Sequence, residues 1–266
     1  MPAEDLEWFE AASGELLDEW NYLVYATNAG KSMRLHWDGI KVLAVDLMGT
    51  LANTADKTFA VRGSQYLAEN GYDISPARFR TLYRKRYLEY SMGNYASDPE
   101  FYSVLSADLS SKGPQPWLEA LTDIRIQCSP PFDDAQPFLE QASRTHKLIL
   151  SSNHVGEWAR RMLLDHQWQD YFQAVVVSSE CRFRKPSRNF FLELLKVSGV
   201  TCPAEILVIG DSLVNDVYGA TRVGLHAVFM DRNSEGREQE LPETVPFVQS
   251  LDELRERVLG KQLVAS

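Results

Sequence analysis

Nowhere in the 266 residues does an uninterrupted apolar run approach the ~18 positions that a membrane-spanning helix requires. The first residues, M-P-A-E-D-L-E-W, are acidic and carry no apolar segment, so neither a signal peptide nor a membrane anchor is expected. Positive charge is scarce as well. There are 27 Lys and Arg against 37 Asp and Glu, a formal net charge of -10, which disfavours a nucleic-acid or anionic-lipid surface. The local exception is the run Arg78, Arg80, Arg84, Lys85, Arg86. Cysteine is limited to Cys128, Cys181 and Cys202, spaced too widely for a metal-ligand motif, which disfavours a disulfide-built scaffold and structural zinc alike. A reducing, cytoplasmic setting is the expectation.

What remains is an ordinary globular composition, 44% hydrophobic and 24% charged, enough for one sizeable core and a smaller second domain. Short apolar runs alternate with helical spacing, the pattern of an α/β protein with a Rossmann-like parallel sheet covered by helices. Strands are predicted at 41–45, 147–150, 174–177, 206–209 and 225–230. Ligands of open parallel sheets bind beyond the carboxyl ends of the strands. Asp46, Ser151 to Asn153, Ser178 to Glu180, and Gly210 with Asp211 should therefore converge on one crevice.

Between the first two strands lie nearly a hundred residues without strand character. Helical spacing occupies 59–70, 75–92 and 98–110, with Ser75-Pro76 and Asp98-Pro99 as start signals and Gly71 and Gly93 as stops. Residues 55–128 are thus expected to form an inserted α-helical cap domain, ending at Cys128-Ser129-Pro130-Pro131, where paired prolines break helices. The core domain comprises 39–54 and 129–266. Residues 1–38 form an extension with Leu6, Trp8, Phe9, Leu16, Leu17, Trp20 and Leu23 at helical spacing, suited to docking on the core or to contacting a partner or second copy. The chain is expected to be a monomer or homodimer.

Four segments carry the chemistry. Asp46 ends a buried run and is followed by L-M-G-T-L; L-I-L-S-S-N spans 148–153; R-K-P spans 184–186; and V-I-G-D-S-L-V-N-D spans 208–216. A carboxylate at a strand end can attack an electrophile whose oxygens are held by backbone N–H groups around Gly49 and Thr50. Asp211 and Asp216, five residues apart, join Asp46 as oxygen ligands suited to a hard cation such as magnesium. Lys185, before Pro186, can neutralise charge on a transferred group and on Asp46. Ser152, in preference to Ser151, and Asn153 offer donors to an oxyanion.

This ordered set, covering about residues 40–232, resembles the haloacid dehalogenase (HAD) superfamily. The resemblance implies that Asp46 is the nucleophile, that Ser152 and Lys185 hold the transferred group, and that Asp46, Asp211, Asp216 and the backbone carbonyl of Met48 hold magnesium. It also exposes a departure. Phosphatases of this family carry a second aspartate, the acid/base, where Met48 stands. Relatives with other residues there cleave phosphonoacetaldehyde through a cap lysine, dehalogenate 2-haloacids, or transfer phosphate from a leaving group that departs unaided. The retained metal carboxylates disfavour dehalogenation, and Lys57 and Lys85 are the obvious cap lysines. What remains is phosphoryl transfer from an acidic leaving group, or a phosphatase with a recruited proton carrier, for which His154 is the candidate. A scaffold that binds a ligand or partner without turning it over is the third reading. The expected substrate is a small molecule. Arg78, Tyr83, Arg84, Tyr87, Tyr90 and Tyr95 either line its chamber or build the cap's own core beneath a wet basic face.

Overall fold

The computed structural model describes Leu35 and residues 37–109, 116–232 and 245–259. The extension expected at 1–38 lies outside these, apart from Leu35 and the start of a 3-10 turn at Trp37–Gly39.

The chain enters the sheet at β1 (Val42–Val45), whose four residues V-L-A-V are all buried. A parallel strand covered on both faces has no use for polar alternation, which is why this segment reads as a continuous apolar run. Among the described residues four helices follow up to Gln127: α1 (Asp56–Glu69), α2 (Pro76–Ser91), α3 (Asp98–Asp108) and α4 (Ala120–Gln127). Ser75 caps α2, its hydroxyl accepting the Arg78 N–H, and Pro76 occupies the first turn as expected. Aromatic rings hold this insertion together: Phe59 meets Tyr83 edge-on at 4.7 Å, and Tyr90 stacks on Phe101 at 5.2 Å.

The chain then runs through α5 (Ala135–Ala142), β2 (Lys147–Ser152), α6 (Gly156–Asp165), β3 (Phe172–Val177), α7 (Arg188–Ser198), β4 (Ile206–Gly210), β5 (His226–Met230), β6 (Phe247–Val248) and α8 (Leu251–Leu259). The six strands form one parallel sheet in the order β3-β2-β1-β4-β5-β6. The switch of direction falls beside β1, with β2 on one side and β4 on the other, and there the carboxyl ends open a crevice. Three strands outrun their expected limits, β4 by the single residue Gly210. β2 continues to Ser152 and β3 begins at Phe172, because buried serines and a register shift near Leu148 stay within the ladder. The two-residue β6 was not expected; a pair so short leaves no periodicity to read.

Two features fasten the insertion to the core. Its linkers pair with one another, Asn53 N–H donating to Pro130 O and Phe132 N–H to Leu51 O, both at 2.9 Å, around an antiparallel Ala52–Pro131 bridge. Farther out, the buried Trp158 of α6 donates its Nε1–H between both Asp98 oxygens at 2.9 Å, and Tyr90 donates its hydroxyl to the same carboxylate at 2.8 Å. Asp98 therefore starts α3 and also ties it to the core.

Candidate functional site

Asp46 is the first residue past β1, and its backbone N–H still donates to Ile209 O at 2.9 Å, so β4 fixes its position. The loop beyond it closes tightly: Leu51 N–H donates to Leu47 O at 2.9 Å and Gly49 N–H to Ala52 O at 2.7 Å. The second bond corrects the expectation that Gly49 binds substrate through its N–H, because that donor is already taken. Gly49 serves space instead. It sits at φ +87°, and a Cβ there would fall 2.0 Å from Asp211 Oδ2. Gly210 makes the matching allowance for Asp216, whose Cγ would lie 2.2 Å from an added Cβ. Two glycines thus admit two carboxylates.

Asp211 follows β4 directly. Asp216 sits in a π-helical turn, Leu213–Tyr218, started by Ser212, whose hydroxyl accepts the Asn215 N–H and whose N–H donates to Asp216 Oδ2 at 3.1 Å. Sequence spacing indicates a helix start here but not its wider pitch. Oxygens of Asp46, Asp211 and Asp216 all lie within 4.8 Å of one another.

Lys185 completes the cluster. It is 3% exposed, and its ammonium donates to Asp46 Oδ1 at 2.9 Å, Asp216 Oδ1 at 2.5 Å and Ser151 O at 2.8 Å. Asn153 sets its backbone: the amide donates to Lys185 O at 2.9 Å and accepts Lys185 N–H at 2.8 Å. The Asn153 carboxamide, expected to offer donors toward substrate, thus engages the lysine through its oxygen and one of its two N–H groups. Ser152, the last residue of β2, is buried, and its neighbour Ser151 lends the lysine its carbonyl. The Ser151 and Thr50 hydroxyls are buried and unpartnered. Ser187 accepts the Asn189 N–H at 3.3 Å and caps the start of α7.

Three carboxylates sharing one ammonium leave two negative charges without a partner in a buried place. Burial, then the charges of Asp46 and Asp216, push Asp211 up to about 8. Burial also raises Asp216, to about 6, with Lys185 opposing the shift and Asp46 adding to it. Burial pulls Lys185 down, but the two carboxylates it touches outweigh that and hold it firmly charged. An all-oxygen donor set with surplus negative charge fits a hard divalent cation.

Met48 lies on the same loop, partly exposed, with no group able to carry a proton. His154 is buried next to the site with its Nδ1 on Val155 O at 3.1 Å, and burial lowers it to about 4. Its ring meets Tyr87 of α2 edge-on at 5.7 Å. The aromatic and basic series otherwise divides as helix spacing allows: Tyr83 and Tyr90 are buried in the insertion, while Arg78 and Arg84 are exposed. Lys57 and Lys85 are exposed too.

Sequence reasoning missed Arg232. Its guanidinium donates to Thr50 O at 2.7 and 3.1 Å, pairs with both oxygens of Asp134 at 2.8 and 3.0 Å, and lies 3.9 Å over the Phe132 ring. It fixes the loop after Asp46 from 182 residues away, and no local signal could have announced it.

A haloacid dehalogenase-like hydrolase family model matches residues 40–224. Phosphoserine phosphatase of Thermus thermophilus is 33% identical over 135 residues, 50% of this chain and 52% of that protein. The chain spans about half the length of the curated relatives it matches. A 2-haloacid dehalogenase of Pseudomonas syringae superimposes with a TM-score of 0.65 at 22% identity, covering 84% of this chain and 99% of that one. A HAD hydrolase of Bacillus subtilis bound to magnesium gives 0.63 at 18% identity, covering 82% and 98%. At such identities these two structures speak to the fold.

Proposed function

This chain belongs to the haloacid dehalogenase-like hydrolase family, and we propose that it removes the phosphoryl group of a small phosphorylated metabolite, with Asp46 as the nucleophile. An Asp46 oxygen attacks phosphorus as the bond to the leaving oxygen breaks, forming an aspartyl phosphate that water then hydrolyses. Lys185 supports this reading more than any other residue. A buried ammonium bonded at once to Asp46 and Asp216 stands where charge on a transferred phosphoryl group needs neutralising. Asp46, Asp211, Asp216 and the Met48 carbonyl would hold magnesium, which when bound draws off negative charge from the phosphoryl oxygens. Ser152 and the loop of Gly49 and Thr50 would bind the phosphoryl oxygens beside them. Thr50 is held there by Arg232, and Asn153 keeps Lys185 in place.

Met48 then selects the substrate. Protonation of an alkoxide leaving group is typically worth about 10²–10⁴-fold, and a methionine supplies none of it. His154 does not restore it as a cation, since burial keeps the imidazole neutral down to about pH 4. The favoured substrates are those whose leaving group departs as a stable anion, such as an acyl phosphate or phosphoanhydride. Carbon-phosphorus cleavage through a Schiff base has less support, because Lys57 and Lys85 are both exposed. The contact of Tyr87 with His154, next to Asn153, supports a small substrate, since a ring packed there would limit the room beside the carboxylates.

The test is phosphate release with magnesium from a panel running from alkyl monoesters to acetyl phosphate. The natural protein should cleave only the acidic leaving groups, Met48→Asp should extend activity to monoesters, and Asp46→Asn should abolish both. No release from any member by the natural protein or by Met48→Asp would remove phosphoryl transfer and leave halide release or ligand binding in its place.

A further inference from the structure

Arg184 precedes the site lysine, and its surroundings are unlike those of the other arginines. It is partly buried and donates to the Ser91 hydroxyl at the end of α2, but no carboxylate pairs with it among the described residues. The other partly buried arginines each have one: Arg86 on Asp108, Arg125 on Asp56, Arg232 on Asp134 and Arg255 on Asp252. Covering a guanidinium without an anion is costly, so an uncompensated one is informative.

Its location gives that charge a use. The Lys185 side chain reaches Asp46, while Arg184, one residue earlier, reaches the insertion. Ser91 and Tyr87 lie four apart on α2 and so share a face, and Tyr87 meets His154 beside the site. Tyr87 and His154 also feel the charges of both Arg184 and Asp46. Arg184 is therefore held, through Ser91, on the α2 face that also carries Tyr87, and Tyr87 meets His154, one residue past Asn153, which is bonded to Lys185.

We propose that Arg184 binds a carboxylate on the substrate, so that the metabolite is a short phosphorylated carboxylic acid. This rests on the phosphoryl reading above. A guanidinium presents a planar fork that matches a carboxylate through two parallel hydrogen bonds. A single uncompensated positive charge also suits a monoanion better than a second phosphate dianion. The anion completes a pairing that the other covered arginines already have, and the selectivity comes mainly from leaving Arg184 unpaired when a neutral tail is bound.

The test is calorimetric binding, in magnesium buffer, of two non-hydrolysable probes, 3-phosphonopropionate and propylphosphonate, which differ only in the carboxylate. The natural protein should bind the carboxylated probe at least tenfold more tightly. Arg184→Gln should erase that ratio while leaving propylphosphonate affinity unchanged, and Arg184→Lys should restore part of it. Ser91→Ala should retain the preference, because it cuts the tether and keeps the charge. The surface control Arg160→Gln should behave as the natural protein. Equal binding of the two probes, or a preference that survives Arg184→Gln, overturns the carboxylate assignment alone. A preference lost equally in Ser91→Ala also overturns it, since Arg184 would then act only by tying α2 to the core. If neither probe binds, the phosphoryl reading falls and the assignment with it.

Discussion

Asp211→Asn should make the metal-free protein more stable while removing its response to magnesium. In the natural protein three acidic side chains meet around one ammonium, and Asp211 is the member without a direct bond to Lys185. Its carboxyl is raised from the ordinary range to about 8. The folded state thus holds a proton that the unfolded chain has released, and stability must fall as pH rises from about 4 to about 8. Each pKa unit corresponds to about 1.4 kcal/mol, so even half of this shift, with Asp216 sharing the titration, destabilises by roughly 3 kcal/mol at pH 8. Asparagine keeps the shape and carries no charge. Urea unfolding in EDTA should show the natural protein weaker at pH 8 than at pH 5.5, and Asp211→Asn flatter and stronger at pH 8 by about 2 kcal/mol or more. Magnesium at a hundredfold excess over its Kd should add about 2.7 kcal/mol to the natural protein and close to nothing to the variant. If Asp211→Asn is no more stable at pH 8 without metal, or if magnesium stabilises both equally, the electrostatic account of the cluster is wrong.

Gly49→Ala combines a φ of +87° with a methyl 2.0 Å from Asp211 Oδ2, so it should cost about 1–3 kcal/mol and displace Asp211. Magnesium affinity should fall at least tenfold by calorimetry, whereas Gly71→Ala, at a similar φ with nothing within 4 Å, should cost stability but leave magnesium binding unchanged. Arg232→Gln strands the Asp134 carboxylate and frees the Thr50 carbonyl, and should destabilise by about 3 kcal/mol in urea. Its residual phosphate release should drop through kcat more than KM, since the loop after Asp46 loses its support.

Much of this architecture is legible in the chain because burial on both faces writes a strand such as Val42–Val45 as unbroken apolar residues. The same holds at Ile206–Gly210, where the run ends on the residues that form the site. Motif spacing likewise brings Asp46, Lys185, Asp211 and Asp216 to one place. Roles that depend on partners distant in sequence are not legible. The amide of Asn153 suggests a ligand donor until Lys185 is found occupying both its ends, and the Gly49 N–H suggests an oxyanion site until Ala52 takes it. Arg184 lies inside the R-K-P segment and Arg232 follows the last apolar run, yet the first is distinguished by having no carboxylate partner among the described residues and the second by reaching Thr50, and neither fact is local.

The paired linkers place the attachment of the helical segment next to the loop that follows Asp46. Leu51 and Ala52 pair with Pro131 and Phe132, and immediately before them stand Gly49 and Thr50, which lead back to Asp46. Arg232 holds the inner end of this stretch through Thr50, and Asp98 with Trp158 ties the helical segment down at a second point. The segment that carries the four helices is therefore anchored at the same loop that positions Asp46.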